Sequence, residues 1–443
     1  MRQQLPTLLK RLEKIPDPRN PKKTKYKMTL LMLYGILVFV FQYSSRRAAN
    51  QAITRPVFEN NLRRLFPQLE TLPHADTLFR LLCDIDVSQI ELAHVALVNR
   101  LIRNKKFKCY LINNCYPIAI DGSQKISFSI LWDEHLLQRK SGGTVAPDSG
   151  EEQNYQYYVY VLEASLSFRN GMVIPLMSEF LDYEQGDGEK NKQDCEQKAF
   201  HRLAGRIRKA FPRLPIMLLL DGLYANGPIM QHCHDYNWDF MIVLKGGSLS
   251  KVWEEYESLL LLEKDNRRQQ KWGDREQSFQ WISNIRYDYG ANGKNHIDIH
   301  VVVCHEQWQE VDRKTGEFVI KEMRHAWISS RPIKPLNVHD RCNLGARYRW
   351  GIEAGFLVEK HQGYSYEHLF AKNWNAMMGY HYLMRLAHLF NTLARFSSEL
   401  AGLFKQYGVR GAIGFIRETF TGPWLDPQEI ELRLKKPFRL RLL

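Results

Sequence analysis

Two short apolar runs that each stop at Asp-Gly constrain the fold more than anything else in the chain: Tyr116 to Ile120 before Asp121-Gly122, and Ile216 to Leu220 before Asp221-Gly222. A short apolar run bounded by a turn signal suits a strand buried on both faces of a sheet. The glycine lets the backbone turn sharply, and ligand sites form at the carboxyl ends of strands in open α/β sheets. If the two strands are neighbours the carboxylates meet, and a hard cation with oxygen ligands relieves their repulsion. Asp-Gly also ends strands as an ordinary turn, and the pair alone does not decide between these readings.

The elements around these runs follow a recognisable order. Gln156 to Phe168 is a tyrosine- and valine-rich strand, Arg169-Asn170-Gly171 a hairpin turn, and Met172 to Phe180 the returning strand. Asn191 to Phe211 reads as a helix ended by Pro212 and Pro215, Pro228 can open the next helix, and Phe240 to Leu244 is a further buried strand before the Gly246-Gly247 turn. Lys125 to Asn154 reads as a loop. Strand, hairpin, helix, strand, helix, strand is the order of a ribonuclease H-like α/β domain, a mixed sheet with helices on both faces, and its first part spans residues 110–247. Residues 248–335 read as a β-rich insertion: a charged helix through Glu263, then runs at Phe279 to Tyr287, Ile297 to Cys304, Glu317 to Glu322 and Ala326 to Ser329, with turns at Asn292-Gly293 and Lys314-Thr315-Gly316. A long helix from near Asn337 and another over Asn373 to Ser397 complete the core (336–397), and 398–443 form a basic helical end.

Residues 1–105 read as a helical N-terminal domain. The run from Met28 to Tyr43 carries Gly35 and Gln42 and falls short of the ~20 residues needed to cross a bilayer, so it reads as a buried helix. Asp76 is a plausible N-cap for Thr77 to Cys83. A DNA-binding helix-turn-helix within residues 44–90 and a merely structural helical cap both fit. The net charge of +14, from 62 Lys and Arg against 48 Asp and Glu, favours a polyanionic partner, with nucleic acid foremost. The excess is densest at Lys10, Arg11, Lys14, Arg19, Lys22, Lys23, Lys25 and Lys27 and at Arg433, Lys435, Lys436, Arg439 and Arg441; solvated tails give the same pattern. Seven dispersed cysteines without a CxxC pair suit a reduced cytoplasm, with no membrane partner. His232, Cys233 and His234 diverge around a helix and make a poor metal site. Gly246-Gly247-Ser248 with Lys251 lacks phosphate-loop spacing and reads as a turn.

A third acid adds to the two aspartates. At 100° per residue, Arg349 lies about 40° and Lys360 about 20° from Glu353, so one solvated helix face presents a carboxylate and two cations, while Trp350, Ile352, Phe356 and Leu357 bury the other sides.

Arg349-Trp350-Gly351-Ile352-Glu353, with Lys360 seven residues on, resembles the Tyr-Arg-Glu-Lys signature of DDE transposases from one large group of bacterial insertion sequences. Ile120-Asp121-Gly122 and Leu220-Asp221-Gly222-Leu223-Tyr224 look like that group's first two acidic motifs, and the β-rich stretch like its insertion; the likeness covers roughly residues 110–390. It departs at Ala346, where the family has a tyrosine that helps hold a phosphate. Tyr348 is the nearest candidate to position DNA, although it stands about 140° around the helix from Glu353. The resemblance implies two Mg²⁺ ions, replaceable by Mn²⁺, on Asp121, Asp221 and Glu353, and in-line attack on phosphorus with no covalent enzyme intermediate. It implies Arg349 and Lys360 on the phosphate, with transposon terminal inverted repeats and target DNA as double-stranded partners and a dimer on paired ends. Trp272, Trp281, Trp308 and Trp327 could stack on a flipped base, as in that family, although each is more often core. A non-cutting DNA-binding descendant and another ribonuclease H-like metal nuclease are the rival readings.

Overall fold

A strand with no polar face has to be covered on both sides, and β1 (Tyr116–Phe128) is built that way over its first half. The computed structural model describes residues 5–65, 67, 72–140, 155–182, 195–312, 314–421, 427–436 and 441. β1 pairs antiparallel with β3 (Tyr155–Ser167) and parallel with β5 (Ile216–Leu220). β2 (Leu137–Lys140) and β4 (Val173–Phe180) both pair with β3, and β6 (Asp239–Val243) lies parallel beside β5. The β-rich stretch contributes β7 (Arg267–Trp272), β8 (Arg275–Tyr289), β9 (Asn295–Val311) and β10 (Phe318–Ser329). β10 pairs antiparallel with β6, so the ten strands form one mixed sheet, ordered β2-β3-β1-β5-β6-β10-β9-β8-β7 with β4 beside β3.

The two sheet faces are distinguished by strand alternation. Ile118, Ile120, Leu218 and Leu220 point to one face and pack with α7 (Glu196–Ala210) through Phe200 and Leu203 and with α8 (Gly227–Asp235) through Ile229. Ala119, Met217, Leu219 and Met241 point to the other, where Cys342, Ala346, Ile352 and Phe356 cover them. Asp121 and Asp221 continue this second row, which is covered by α10 (Trp350–His361).

The N-terminal part is helical: α1 (Leu5–Leu12), α2 (Met28–Val40), α3 (Arg46–Ile53), α4 (Pro56–Leu65), α5 (Ala75–Asp84) and α6 (Ser88–Arg103). α2 is the expected buried helix, because a helix apolar all round has no face to give to water. It packs on α11 (Trp374–Arg395), itself buried along most of its length. Gly35 permits the close crossing, since a Cβ there would stand 2.7 Å from Leu383 Cδ1. The N-terminal helices, α11 and one sheet face therefore share one core. α9 (Ser250–Leu260) lies on β8, while α12 (Ala401–Thr421) and α13 (Pro427–Lys435) follow α11. Among the described residues no helix is long and apolar enough to cross a membrane.

Several boundaries differ from the sequence reading. β1 runs on to Phe128, so Asp121 lies mid-strand, just beyond the last β1–β5 pair at Ala119 and Leu219. The loop expected after Lys125 contains β2, and its residues 141–154 lie outside those described. The helix expected from Asn191 begins at Glu196, with 191–194 outside the described residues. His74 caps α5 by accepting from the Asp76 N–H, leaving Asp76 in the first turn and paired with Arg46 at 3.2 Å. The runs before and after Met323 form the single strand β10. The long helix expected from Asn337 is instead a π segment (Asp340–Gly345), a 3₁₀ turn (Ala346–Arg349) and then α10.

Glu163 of β3 and Glu359 of α10 are both fully buried, and Arg385 of α11 joins them at 3.1 and 2.8 Å. His381 and His388, one turn before and after, lie 3.1 Å from Glu163 and 2.6 Å from Glu359. Burial opposes both charges, yet Arg385 holds both carboxyls below the usual range. Removing one partner of such a pair leaves an uncompensated buried charge, which costs roughly 3–5 kcal/mol. Arg385→Met is therefore expected to lower unfolding free energy by about that amount in urea titrations; a loss under about 1 kcal/mol would show that the network contributes little.

Candidate active site

The parallel register of β1 and β5 pairs residues exactly one hundred apart, from Tyr116 with Ile216 to Ala119 with Leu219. Continued by two residues, it sets Asp121 level with Asp221 on neighbouring strands, about 4.8 Å apart in the backbone. Asp121 Oδ1 accepts from the Gly122 N–H at 2.9 Å. Asp221 caps the short turn Gly222–Tyr224, accepting from the Leu223 N–H at 2.7 Å, and lies 3.4 Å from Lys245 Nζ.

Glu353 enters from the first turn of α10. Gly351 sets how closely that helix lies on the sheet, since a Cβ there would collide with Ser167 Oγ of β3. Arg349, immediately before the helix, spans the gap: its guanidinium is 3.5 Å from Asp121 Oδ2 and 2.9 Å from Glu353 Oε1. Its side chain is only 8% exposed, so it stands inside the site and not on the solvated face expected from helix geometry. Burial pushes the Asp121 carboxyl up to about 6; Arg349 and the Gly122 N–H oppose that, while Glu353 and Glu196 reinforce it. Among the described residues no three carboxylates, histidines or cysteines gather closely enough to hold an ion by themselves.

The other expected residues stand apart. Lys360 pairs with Glu367 at 3.1 Å and lies over the Tyr366 ring, two turns beyond Glu353. Tyr348 is half-buried, and its backbone carbonyl accepts from the Ser167 hydroxyl. Ala346 is buried in the core that contains Met217 and Ile352, where a tyrosine ring has no room without repacking. Trp350 and Leu357 do not bury the helix: they are 64% and 58% exposed, which leaves Ile352 and Phe356 as its inward residues. Trp281 and Trp327 are core, whereas Trp272 and Trp308 are partly exposed and lie against Arg347 and Arg275. Cys233 is buried, and His232 packs against His201 and Tyr236.

Three participants escaped the sequence reading. Glu196, at the start of α7, accepts from the hydroxyls of Tyr160 (2.6 Å) and Tyr224 (3.1 Å) and closes over Gly122. Its only sequence signal is an acid in a first helical turn. Lys245 follows β6, and its side chain fills the space over Gly222. Glu306 of β9, buried, takes Arg347 and Arg275 as ion-pair partners and Gln277 as a donor at 2.9 Å. Arg347 lies two residues before Arg349, so this cluster ties the segment that delivers Arg349 and Glu353 to the β-rich half of the sheet.

The DDE_Tnp_1-associated family matches the chain over residues 9–98, from α1 into α6. That match points to a DDE-type transposase family. No curated protein matches the chain.

Glu306 gives this anchor a pH signature. Burial would raise its carboxyl, but Gln277, Arg347 and Arg275 hold it at about 2, below the ordinary 4.5. A depressed acid contributes stability that is present above its unfolded value and is lost as pH falls through the folded one. Glu306→Gln is therefore expected to be less stable than the parent at pH 7 by roughly 3 kcal/mol, with the difference closing between pH 4.5 and 2. Urea midpoints across that range test it, and a difference independent of pH would show that the ionised form is not what anchors Arg347.

Proposed function

We propose that the chain is a DDE-type transposase that cuts and joins DNA strands at Asp121, Asp221 and Glu353 on a ribonuclease H-like core. The observation that carries the reading is the level placement of Asp121 and Asp221 on adjacent parallel strands, with Glu353 joined to Asp121 through Arg349. The strand order β4-β3-β1-β5-β6, with β3 and β4 antiparallel to the central trio, supports the fold assignment. The family match over the N-terminal helices supports the transposase reading independently of the site.

The donor set fits a hard divalent ion: three carboxylates, two of them crowded enough that one carboxyl is pushed up to about 6 and both need a cation between them. Magnesium, or manganese in its place, bound by these three residues would supply the charge that activates a water or a 3′-hydroxyl and steadies the leaving oxygen. The chain's own groups position DNA. Arg349 is already in the site with a planar fork that suits phosphate as well as carboxylate. Lys245, 62% exposed beside Asp221, is a second cation that can neutralise phosphate, a role the sequence reading gave to Lys360. The partly exposed side chains of Trp350 and Leu223 offer apolar surface to a sugar or base next to the carboxylates. Double-stranded terminal repeats and target DNA are the proposed substrates, held by a dimer on paired ends.

Purified protein incubated with DNA carrying the flanking inverted repeats should cut and join strands with Mg²⁺ and do neither with EDTA. Cutting without joining would favour a nuclease, and binding without cutting a silent descendant. Asp121→Ala, Asp221→Ala and Glu353→Ala should each abolish cutting while retaining DNA binding, and should each lose the rise in melting temperature that Mn²⁺ gives the parent. Near-normal cutting by any one of them removes that residue from the triad. Arg349→Ala should slow cutting by about ten- to a thousandfold, as loss of positioned charge does elsewhere, with Arg349→Lys restoring part of it.

A further inference from the structure

The densest unpaired positive charge lies away from the carboxylates. An open groove of about 900 Å³ runs between α6, the end of α1 with its following turn, and the turn after α7. Arg11, Lys14, Arg103 and Arg213 line it from these three segments, and no carboxylate does. All four are exposed, and among the described residues none of them is in an ion pair. A basic last turn complements a helix dipole, which accounts for Arg11 and Arg103 one at a time. It does not account for their convergence with Lys14 and Arg213 from irregular segments. The walls are fixed: Arg100 donates to the Thr7 hydroxyl, joining α6 to α1, and Asn99 donates to the Ala210 carbonyl at 3.3 Å, joining α6 to the end of α7.

The groove sits at the opposite pole from Asp121 and Asp221. Arg213 precedes the first residue of β5 and Asp221 follows its last, so the five-residue strand separates them by about 17 Å. Among the lining residues Phe211 is buried, so no exposed ring is present on which an unpaired base could stack. Leu92, 47% exposed, is the one large apolar side chain well exposed there, too little to anchor an amphipathic peptide or enter a bilayer. What remains is a fixed concave wall of cations, which suits a sugar-phosphate backbone read without regard to sequence.

We propose that this groove is a second DNA-binding surface, which grips the phosphate backbone of a duplex segment other than the one presented to the carboxylates. It concerns binding alone and does not depend on whether the carboxylates cut.

The test uses the full chain in EDTA and a duplex of arbitrary sequence lacking terminal repeats, with affinity followed by fluorescence anisotropy over a salt series. Arg103→Ala/Arg213→Ala is compared with Lys264→Ala/Lys405→Ala, which removes the same charge from exposed positions outside the groove. Each phosphate contact contributes about 0.9 to the log-log salt slope, so the groove variant should lose about 1.8 and bind at least tenfold more weakly than the control at low salt. Unchanged melting temperatures would assign the loss to the surface. Equal slopes for the two variants overturn the proposal. So does a loss confined to polyglutamate or to phosphatidylserine vesicles, which would assign the groove to an acidic protein segment or a membrane.

Discussion

The Arg385 guanidinium, buried between Glu163 and Glu359, is the interaction on which the rest of the structure depends. It belongs to the central helix of the shared core, and it takes one carboxylate from the sheet and one from the helix that carries Glu353. Two opposite charges at such depth are tolerated because each finds several partners: Ser178 donates to Glu163 at 2.6 Å, and His388 lies against Glu359. The outcome is positional. With Glu359 fixed inward, the opposite side of α10 is obliged to face the ends of β1 and β5, and Glu353 reaches Asp121 without being held by its own packing.

The same economy of charge governs the site. Asp121, Glu353 and Glu196 crowd one end of the sheet, and the buried Arg349 lies between two of them with a further cation, Lys245, at Asp221. A carboxylate cluster that folds without a metal needs such internal cations, and they are the groups that a phosphate would later require. Glu196 is held differently, by tyrosine hydroxyls, and so stays in place whether or not Arg349 moves.

Much of this was legible in the sequence wherever the information is local. The apolar runs before Asp121 and Asp221, the hairpin around Asn170 and the buried α2 are read from a handful of consecutive residues. What escaped is set by partners distant in the chain. Glu306 meets Arg347 across 41 residues, and Ser165 meets Arg385 across 220. Helix periodicity places Arg349 and Glu353 together correctly, because they are one turn apart; it misassigns Trp350 and Leu357, because it cannot tell which side of an amphipathic helix has a neighbour. Strand pairing is non-local too, so the β-rich stretch reads as an insertion while its last strand in fact prolongs the central sheet through β6.

The π segment at Asp340–Gly345 has a consequence for how this chain can change length. A π turn takes about one residue more than an α turn, and each residue of helix corresponds to about 100° of rotation. Losing a single residue there would let the segment relax into ordinary winding, yet it would swing everything downstream by more than a quarter of a circle. Glu353 would leave Asp121, Glu359 would leave Arg385, and a bulkier neighbour of Gly351 would be driven onto Ser167. Side chains in this stretch can be exchanged with modest effect, whereas its residue count is fixed by three contacts that lie outside it.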